Sequence, residues 1–428
     1  MVRPVLAAID RESRARLLAA LARRYGDLDL AEDALQEALS RALIAWPRTG
    51  IPRTPEAWLM TAAKHAAVDL LRREQALARR AGSLAAQLDR EPSPEHLRDP
   101  AAPVDASSAD EVPDDRLALF FACSHPALRI EDRIALTLRF VAGLTTAEIA
   151  HALLIPTATL QARITRAKVR IRKLGISFEM PGGALLAERI HGVRRIVYLL
   201  YTAGFARATG KSHVRDDLTA EAIRLARLLL ARQPDSAENL GLLGLLLLAE
   251  ARRPARTDAT GRPVPLAEQD RGLWDPELLA AGISLAERAA AMPDAGSYTV
   301  QCAIAAVHAE AGSFPATDWR QIAVLYRLLE SHEPGPVVRL GRAVALGRAY
   351  GPERGIRLLD ELGADPRLDR SRDYHIARAV TLEELGDRAG AATAYRRALE
   401  LDGNEAEEEL LLSALAAVQP PRGPRRRP

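Results

Sequence analysis

Basic and hydroxyl side chains between residues 157 and 170 form the stretch of the sequence best suited to bind nucleic acid. No acidic residue occurs from Gln161 to Lys173, so the cations can neutralise phosphates without competition from neighbouring carboxylates. Arginine and glutamine can each form two hydrogen bonds with the edge of one base. The candidate base or groove contacts are Thr157, Thr159, Gln161 and Arg163, and the candidate phosphate contacts are Arg166, Lys168 and Arg170.

Two helices joined by a tight turn are predicted to position these side chains, over residues 144–173. Thr145 or Thr146 can cap the first helix by accepting a hydrogen bond from a free backbone N–H. Pro156 suits the first turn of the second helix, because its missing N–H removes no bond there. The pattern predicts a helix-turn-helix, and the alternative is an ordinary amphipathic hairpin with a solvated basic face. The apolar positions expected to pack are Leu160, Ile164, Ala167 and Ile171.

Composition favours an all-α protein. Hydrophobic residues make up 48% of the 428 residues, which suits a globular chain of about three domains. Aromatic residues make up only 4%, while alanine, leucine and arginine dominate, and this balance favours helix over strand. The net charge of +3 is small for this length, so the case for nucleic-acid binding rests on local clusters of charge.

We expect no metal site, no cofactor, no signal peptide and no membrane span. Cys123 and Cys302 are far apart and suit buried thiols in a reducing cytoplasm. Cys123 and His125 are neighbours, but structural zinc usually takes four ligands and no second pair lies nearby. No apolar run reaches the length of about 18 residues that a membrane span needs. Because we find no nucleotide-binding loop or nucleophile motif, an enzyme is the least favoured interpretation.

The N-terminal part carries an acidic and polar patch on the second of three predicted helices. The patterning predicts helices over residues 5–25, 28–46 and 55–73, with a loop rich in proline and glycine over residues 47–55. Asp29 is the candidate cap of the second helix. The patch consists of Glu32, Asp33, Gln36 and Glu37, and a merely solvated helix face is the alternative interpretation.

The third predicted helix places cations where they can reach a backbone of phosphates. Its apolar positions face a core, and the helical spacing of Trp58 and Leu59 predicts that Trp58 belongs to this core and is not a stacking surface. The candidate DNA contacts on this helix are Lys64, His65, Arg72 and Arg73.

With these helices in view, the chain resembles bacterial sigma factors of the extracytoplasmic-function group. Residues 17–75, with the acidic helix DLAEDALQEAL and a later helix ending in VDLLRR, are similar to region 2 of that family. Residues 114–174, which end in the basic helix, are similar to region 4. The intervening stretch is rich in proline, serine and acidic residues, and this composition predicts a flexible tether.

The resemblance implies a promoter-recognition subunit of bacterial RNA polymerase. Its acidic helix would dock on the clamp helices of the polymerase β′ subunit, and region 4 would meet the β flap and the minus-35 element. The loop over residues 47–56 and the basic residues of the third helix would contact the minus-10 element. His65 stands where family members usually carry asparagine, so the base preference is not transferred. The implied polymerase contacts are Asp29, Glu32, Asp33, Gln36 and Glu37.

The second half of the chain repeats a pair of helices. Residues 371–405 match the pattern of a tetratricopeptide repeat, which is about 34 residues long, and residues 220–248 form an earlier echo. Stacked pairs of this kind build one curved core, so the sequence predicts a tetratricopeptide-like α-solenoid that binds protein. The matching small, apolar and turn positions are Ala379, Leu382, Gly386, Ala391, Tyr395 and Ala398.

A long segment at residues 251–278 interrupts the repeats. It exceeds a simple turn, and Trp274 predicts an ordered loop because a large aromatic side chain gains by being packed. A subgroup of the same sigma factors resembles this chain in carrying such an extension, with a regulatory loop that contains Asp-Gly-Arg and Gln-Asp-Arg. The residues that match this loop are Asp258, Gly261, Arg262, Gln269, Asp270, Arg271 and Trp274.

These features predict five segments: region 2 over residues 1–82, a linker over 83–113, region 4 over 114–175, the extension over 184–418 and a basic tail over 419–428. The predicted function is a cytoplasmic sigma factor that binds core RNA polymerase and promoter DNA. The extension would regulate its activity, or dock an unknown protein or another part of the chain. The alternatives are a stand-alone helix-turn-helix regulator with a solenoid sensor, and a scaffold that binds peptides and ignores DNA.

Overall fold

The computed structural model describes residues 11–85, 115–153, 155–205, 214–259, 262–401 and 405–418. Over these ranges the regular structure is helical, without a strand and with one isolated bridge between Thr257 and Pro263. The predicted all-α class is therefore confirmed. The basic tail and most of the predicted linker lie outside the described residues. The chain forms two compact units, Met1–Ile196 and Val197–Pro428.

Unit 1 begins with three helices, α1 (Arg11–Tyr25), α2 (Leu28–Thr49) and α3 (Pro55–Ala85). Alanine and leucine side chains fill the space between them, because residues at helical spacing on each helix face the other two. Trp46 is fully buried, and its ring meets that of Trp58 edge to face with centroids 5.4 Å apart. Trp58 itself is half-buried, and the contact agrees with the prediction that it packs against the core.

Two expectations about α2 are wrong. Its cap is Asp27 and not Asp29, because the Asp27 carboxylate accepts hydrogen bonds from the N–H groups of Asp29 and Leu30, at 2.7 and 3.2 Å. The helix also continues through Pro47 to Thr49. Proline removes one backbone hydrogen bond, but close to the end of a helix this loss interrupts little of the ladder.

The third helix is longer than predicted. It extends to Ala85 instead of ending near residue 73, so it includes the beginning of the stretch that the composition assigned to a tether. The sequence EQALARRAGSLA after residue 73 is rich in alanine, leucine and arginine, which are strong helix formers, and this propensity explains the extension.

The predicted helix-turn-helix is present in unit 1. Its helices are α6 (Thr146–Leu153) and α7 (Thr157–Lys173), and they follow α4 (Arg116–Cys123), α5 (Ile130–Leu136) and a π-helical turn at Thr137–Val141. All four predicted apolar positions of α7 are buried. Thr145 caps α6: its hydroxyl accepts from the N–H of Glu148 at 3.2 Å, while the Glu148 carboxylate accepts from the N–H of Thr145 at 2.7 Å. This reciprocal pair fixes the start of the motif.

Helix α8 (Gly183–Phe205) contains the division between the two compact units, which lies beyond the predicted start of the extension at residue 184. Unit 2 continues as a series of helices in which most helices pack against the next one along the chain. These helices are α9 (Val214–Arg232), α10 (Ala237–Ala251), α11 (Pro276–Ala290), α12 (Ser297–Glu310), α13 (Trp319–His332), α14 (Pro336–Tyr350), α15 (Pro352–Leu362), α16 (Pro366–Asp369), α17 (Arg372–Glu384), α18 (Arg388–Leu399) and α19 (Glu405–Val418).

The predicted repeat unit corresponds to α17 and α18. These two helices pack against each other, and Gly386 between them has a φ of 79°, in the left-handed region that favours glycine. The apolar repeat positions belong to one buried cluster: Ala379, Leu382, Ala391, Tyr395 and Ala398. The helix pair is therefore confirmed, while its assignment to the tetratricopeptide type stays a prediction.

Two glycines of α10 allow α12 to approach it closely. A Cβ atom added at Gly241 would lie 2.6 Å from the backbone nitrogen of Thr299, and one added at Gly244 would lie 2.6 Å from Sγ of Cys302. Glu238, one turn earlier on α10, accepts hydrogen bonds from backbone N–H groups in the first turn of α12, among them that of Thr299 at 3.0 Å. The two helices are thus joined by backbone contact and by a carboxylate cap.

Gly241→Ala is expected to lower the free energy of unfolding by about 1–3 kcal/mol, because the new methyl group collides with backbone that cannot rotate away. The intrinsic preference of helices for alanine, about 1 kcal/mol, acts in the opposite direction. Urea unfolding followed by circular dichroism measures the change. Gly312→Ala is the matched control, because a Cβ there meets no heavy atom within 4 Å. Equal stability of the two variants would contradict the close approach.

Candidate promoter and polymerase interfaces

The N-terminal half of α7 is open to solvent. Thr157, Thr159 and Gln161 are exposed, and Arg163 is half-buried. These four side chains are the predicted base or groove contacts, and they lie at the end of the helix that a helix-turn-helix inserts into the major groove. Of the predicted phosphate contacts, Arg166 and Arg170 are also exposed.

Lys168 lies in a different environment from the other cations of α7. Its ammonium group forms ion pairs with Asp29 and with Glu32, the latter at 2.9 Å, and its side chain is only 12% exposed. Burial by itself would lower the pKa of Lys168, but hydrogen bonds to and charges on Asp29 and Glu32 outweigh it and raise the pKa above its ordinary value. A contact between Lys168 and DNA phosphate therefore requires that these ion pairs first break.

Two further arginines join the same carboxylates. The Arg172 guanidinium lies 2.8 Å from a carboxylate oxygen of Asp27 and 2.8 Å from one of Asp29, and the charge of Asp27 is the main cause that raises the pKa of Arg172. Arg139, in the π-helical turn, pairs with Glu32 at 2.7 Å. The structure thus joins predicted polymerase contacts to the basic side of the helix-turn-helix. The sequence interpretation overlooked Asp27 and Arg139 because their partners are distant in sequence.

The predicted polymerase contacts are divided by the fold into two sets. Asp29 and Glu32 contact the cations described above, whereas Asp33, Gln36 and Glu37 lie in the following turns of α2 and are exposed. The exposed set continues towards the end of the helix through Ser40 and Ile44, at helical spacing, and Ile44 is 64% exposed. Ile44 is a large apolar residue outside the buried stripe of α2. This position in the sequence pattern could have indicated that Ile44 belongs to the exposed surface.

The predicted DNA contacts of α3 form a separate basic surface. His65, Arg72 and Arg73 are exposed, and Lys64 is half-buried. Burial, followed by the charge of Arg24, lowers the pKa of Lys64. Arg72 and Arg73 follow Lys64 and His65 by eight residues, slightly more than two helical turns.

The predicted regulatory loop is ordered where the structure describes it, and Gly261 lies outside the described residues. Trp274 is only 4% exposed, with the guanidinium groups of Arg271 and Arg252 at 4.5 and 5.4 Å from the centre of its ring. Gln269 accepts hydrogen bonds from Arg252 and donates to the carbonyl of Val264 at 3.0 Å. The prediction that Trp274 packs is therefore confirmed.

The remaining residues of the loop form hydrogen bonds with backbone groups. Arg271 donates to the carbonyls of His308 and Ala311, at 2.6 and 2.8 Å, and so caps the C-terminal end of α12. The carboxylate of Asp258 accepts from the N–H of Arg262 at 3.0 Å, and that of Asp270 accepts from the N–H of Gly272 at 2.8 Å. These hydrogen bonds tie the backbone of a segment that has no long helix to its surroundings.

His308 lies beside this arginine-rich cluster, and its ring meets Trp319 edge to face at 5.1 Å. Burial, followed by the charges of Arg252 and Arg271, lowers the pKa of His308 to about 4. An unfolded chain takes up a proton on histidine below about pH 6.5, whereas the folded chain does not until about pH 4. The contribution of this neutral histidine to stability is therefore complete above about pH 6.5 and is lost as the pH falls towards 4.

We expect the free energy of unfolding to decrease by about 1–2 kcal/mol through His308 between about pH 7 and pH 5, after allowance for solvent screening. Urea unfolding at both pH values measures this change. His308→Gln should show a smaller decrease than the wild type, while His332→Gln, which removes an exposed histidine, should follow the wild type. The same pH dependence in all three proteins would contradict this assignment.

The described residues show no feature of a metal centre. No group of three or more histidine, cysteine, aspartate or glutamate side chains in these ranges could hold a metal ion. Cys123 and Cys302 are buried, and burial raises the pKa of both thiols, that of Cys302 to about 12. Among the helices described, none is long and apolar enough to cross a membrane.

Comparisons with known proteins identify domains within the chain. Residues 11–77 match the family described as Sigma-70 region 2, and residues 122–171 match Sigma-70, region 4. Residues 189–290 match a family of unknown function, DUF6596. An uncharacterized protein of Rhizobium meliloti (strain 1021) is 41% identical over 400 residues, which cover 92% of this chain and 91% of that protein. No solved structure matches the chain.

Both sigma-70 regions fall on the elements described above: region 2 on α1 to α3, and region 4 on the helices that end in α7. Proteins of this kind are not enzymes by themselves, because core RNA polymerase performs the chemistry. With its acidic helix, its basic α3 surface and its helix-turn-helix, the chain belongs to the sigma-70 family of sigma factors, which bind core RNA polymerase and direct promoter recognition and transcription initiation.

Proposed function

We propose that the protein is a cytoplasmic sigma factor of the extracytoplasmic-function group, with a C-terminal helical extension that regulates its activity or docks a partner. The observation that carries the proposal is that α7 presents an open basic and hydroxyl end behind a capped first helix, in a chain that also contains the acidic α2. The exposed acidic face of α2 would dock on the basic clamp helices of the polymerase β′ subunit, and region 4 would meet the β flap.

The two basic surfaces have different tasks in this proposal. Lys64, His65, Arg72 and Arg73 contact the minus-10 element, where strand separation exposes bases and backbone. Thr157, Thr159, Gln161 and Arg163 read the minus-35 element in the major groove, and Arg166, Lys168 and Arg170 neutralise phosphates. This division follows from side-chain chemistry: hydroxyl, amide and guanidinium groups lie at the exposed end of α7, and the remaining cations lie further along the helix.

For the extension, the supporting observations are the helix pair α17–α18 and the ordered loop around Trp274. Buried clusters follow one another along unit 2, as expected for a tetratricopeptide-like solenoid. Arg262 stays exposed on the loop, apart from an ion pair with Glu409 at 3.0 Å, so a partner can reach it.

Run-off transcription with purified core polymerase and the gene's own upstream DNA tests the main proposal. We expect a defined transcript only when the full chain and the polymerase are both present. Tight and specific binding of the chain to that DNA without polymerase, and no transcript with it, would favour the stand-alone regulator instead.

The same assay tests the extension with Arg262→Ala in the full chain. A rise in transcript indicates inhibition by the loop, and a fall indicates that the loop is needed; unchanged transcription would contradict a regulatory role for Arg262. Glu409→Ala is the matched control, because it breaks the same ion pair but leaves the loop arginine in place.

A further inference from the structure

Two guanidinium groups meet at Trp274 in unit 2. That of Arg271 lies 4.5 Å and that of Arg252 lies 5.4 Å from the centre of the Trp274 ring. Arg271 donates to two backbone carbonyls, and Arg252 donates to the neutral amide oxygen of Gln269 at 3.4 Å. Among the described residues, no carboxylate forms an ion pair with either arginine. We call Arg252 and Arg271 the arginine pair.

The carboxylates closest to the arginine pair in sequence have other partners. Glu250 forms an ion pair with Arg253 at 2.7 Å and accepts a hydrogen bond from the hydroxyl of Tyr201 at 3.1 Å. Asp270 is exposed, and its carboxylate accepts from the N–H of Gly272 at 2.8 Å. Neither carboxylate therefore neutralises the arginine pair.

Burial makes the repulsion between these cations costly. Burial, followed by the charges of Arg256 and Arg271, lowers the pKa of Arg252 to about 10. Burial also lowers the pKa of Arg271. A charged group that is withdrawn from water without an opposite charge beside it raises the free energy of the folded state. An anion in contact with both guanidinium groups would remove this cost.

The side chains at this place also carry polar atoms that the rest of the described chain does not satisfy. Three buried atoms have no hydrogen-bond partner within the described ranges: Nη2 of Arg271, Nε1 of Trp274 and Nδ1 of His308. The guanidinium and the indole N–H can only donate. Burial, followed by the charges of the arginine pair, keeps His308 neutral at pH 7, so its Nδ1 donates in the tautomer that carries the hydrogen there. A ligand that satisfies these atoms is therefore an acceptor, and the charge of the arginine pair requires that it be an anion.

We propose that the donors around Trp274 form a binding site for a phosphate group, either free or carried by a small organic ligand. A phosphate monoester has a charge of about −1.5 to −2 at pH 7 and three strong acceptor oxygens, which match two guanidinium charges and donors on three separate elements. These elements are the end of α10, the loop around Trp274 and α12. A carboxylate has one charge and two oxygens in one plane, so it matches less well. Phosphate would replace the amide of Gln269 as the acceptor of Arg252, because a charge-assisted hydrogen bond is stronger than a neutral one.

Isothermal titration calorimetry of the full chain with inorganic phosphate, and separately with glycerol phosphate, tests the site at constant ionic strength. We expect saturable binding of one phosphate group per chain. Arg252→Gln should weaken this binding about ten- to a hundredfold, because it removes a charge-assisted hydrogen bond. Trp274→Phe keeps an aromatic ring but removes one neutral donor, so it should weaken binding about two- to tenfold. Arg288→Gln, which removes an exposed arginine of α11, is the matched control and should bind as the wild type does.

Arg252→Lys separates loss of the site from loss of folding. It keeps the positive charge but lacks the planar fork, so it should fold and still bind phosphate more weakly than the wild type. Circular dichroism checks the helix content of each variant. Tighter binding of glycerol phosphate than of inorganic phosphate would identify an organic phosphate as the ligand, and the reverse order would identify phosphate itself.

The proposal is overturned if the wild type binds neither probe, if sodium acetate binds as tightly as phosphate, or if Arg252→Gln and Arg288→Gln bind phosphate equally well. These measurements use neither polymerase nor DNA. Their outcome is therefore independent of the sigma-factor function, and the site can fail while that function stands.

Discussion

Arg163→Ala is expected to weaken binding of the holoenzyme to its promoter by about ten- to a hundredfold. A guanidinium that forms two hydrogen bonds with one base contributes about 1–3 kcal/mol of discrimination against the wrong base. Arg163 is placed to do this, because it lies in the second turn of α7, next to exposed Gln161 and away from the ion pairs that hold Lys168. Gel shifts of reconstituted holoenzyme on wild-type and base-substituted minus-35 DNA measure the effect.

Arg170→Ala provides the comparison that identifies base reading. Arg170 carries the same charge on the same helix but lies two turns further on, where we expect a phosphate contact. Its loss should weaken binding to all sequences by a similar factor and reduce the salt dependence, whereas loss of Arg163 should also relax the preference at one base position. If both variants lose affinity without any change in base preference, Arg163 does not read a base.

Asp33→Arg is expected to weaken assembly with core polymerase by at least about tenfold. The basic clamp helices that we propose as the partner would then face a cation, and like charges brought together across an interface cost several kcal/mol. Asp33 is exposed on α2, and it is not one of the carboxylates held by Lys168, Arg172 or Arg139. A fluorescence-based titration of labelled chain with core polymerase gives the dissociation constant.

Glu188→Arg is the control for Asp33→Arg, because it makes the same change in net charge at an exposed position of unit 1 on α8. This control should bind polymerase as the wild type does. An equal loss in both variants would mean that total charge, and not the α2 surface, determines assembly. A loss restricted to Asp33→Arg would place the docking surface on the exposed face of α2.

Asp33 and Glu32 differ in what a substitution changes in the free chain. Asp33 is exposed, whereas Glu32 forms ion pairs with Lys168 and Arg139. A substitution of Glu32 also breaks these ion pairs, so its effect in a polymerase-binding assay combines two changes, and Asp33 is the clearer test of the α2 surface.

The sequence by itself determined the helix-turn-helix, the start of α6 to within one residue and the buried positions of the α17–α18 pair. Each of these depends on residues a few positions apart: the capping pair Thr145 and Glu148 is three residues apart, and the buried stripe of α7 recurs at helical spacing. The charge patterns also located both basic surfaces and the acidic helix, because the side chains of each surface belong to one helix.

Only the tertiary structure decided which of these charged side chains form ion pairs with distant parts of the chain. Lys168 and Glu32 are 136 residues apart, and no local pattern indicates that they pair. The same holds for Arg271, which caps a helix 37 residues further along, and for the glycines of α10, whose small size matters only because α12 lies against them. Periodicity and capping are properties of a segment, but an ion pair or a close approach between segments exists only once the chain has brought them together.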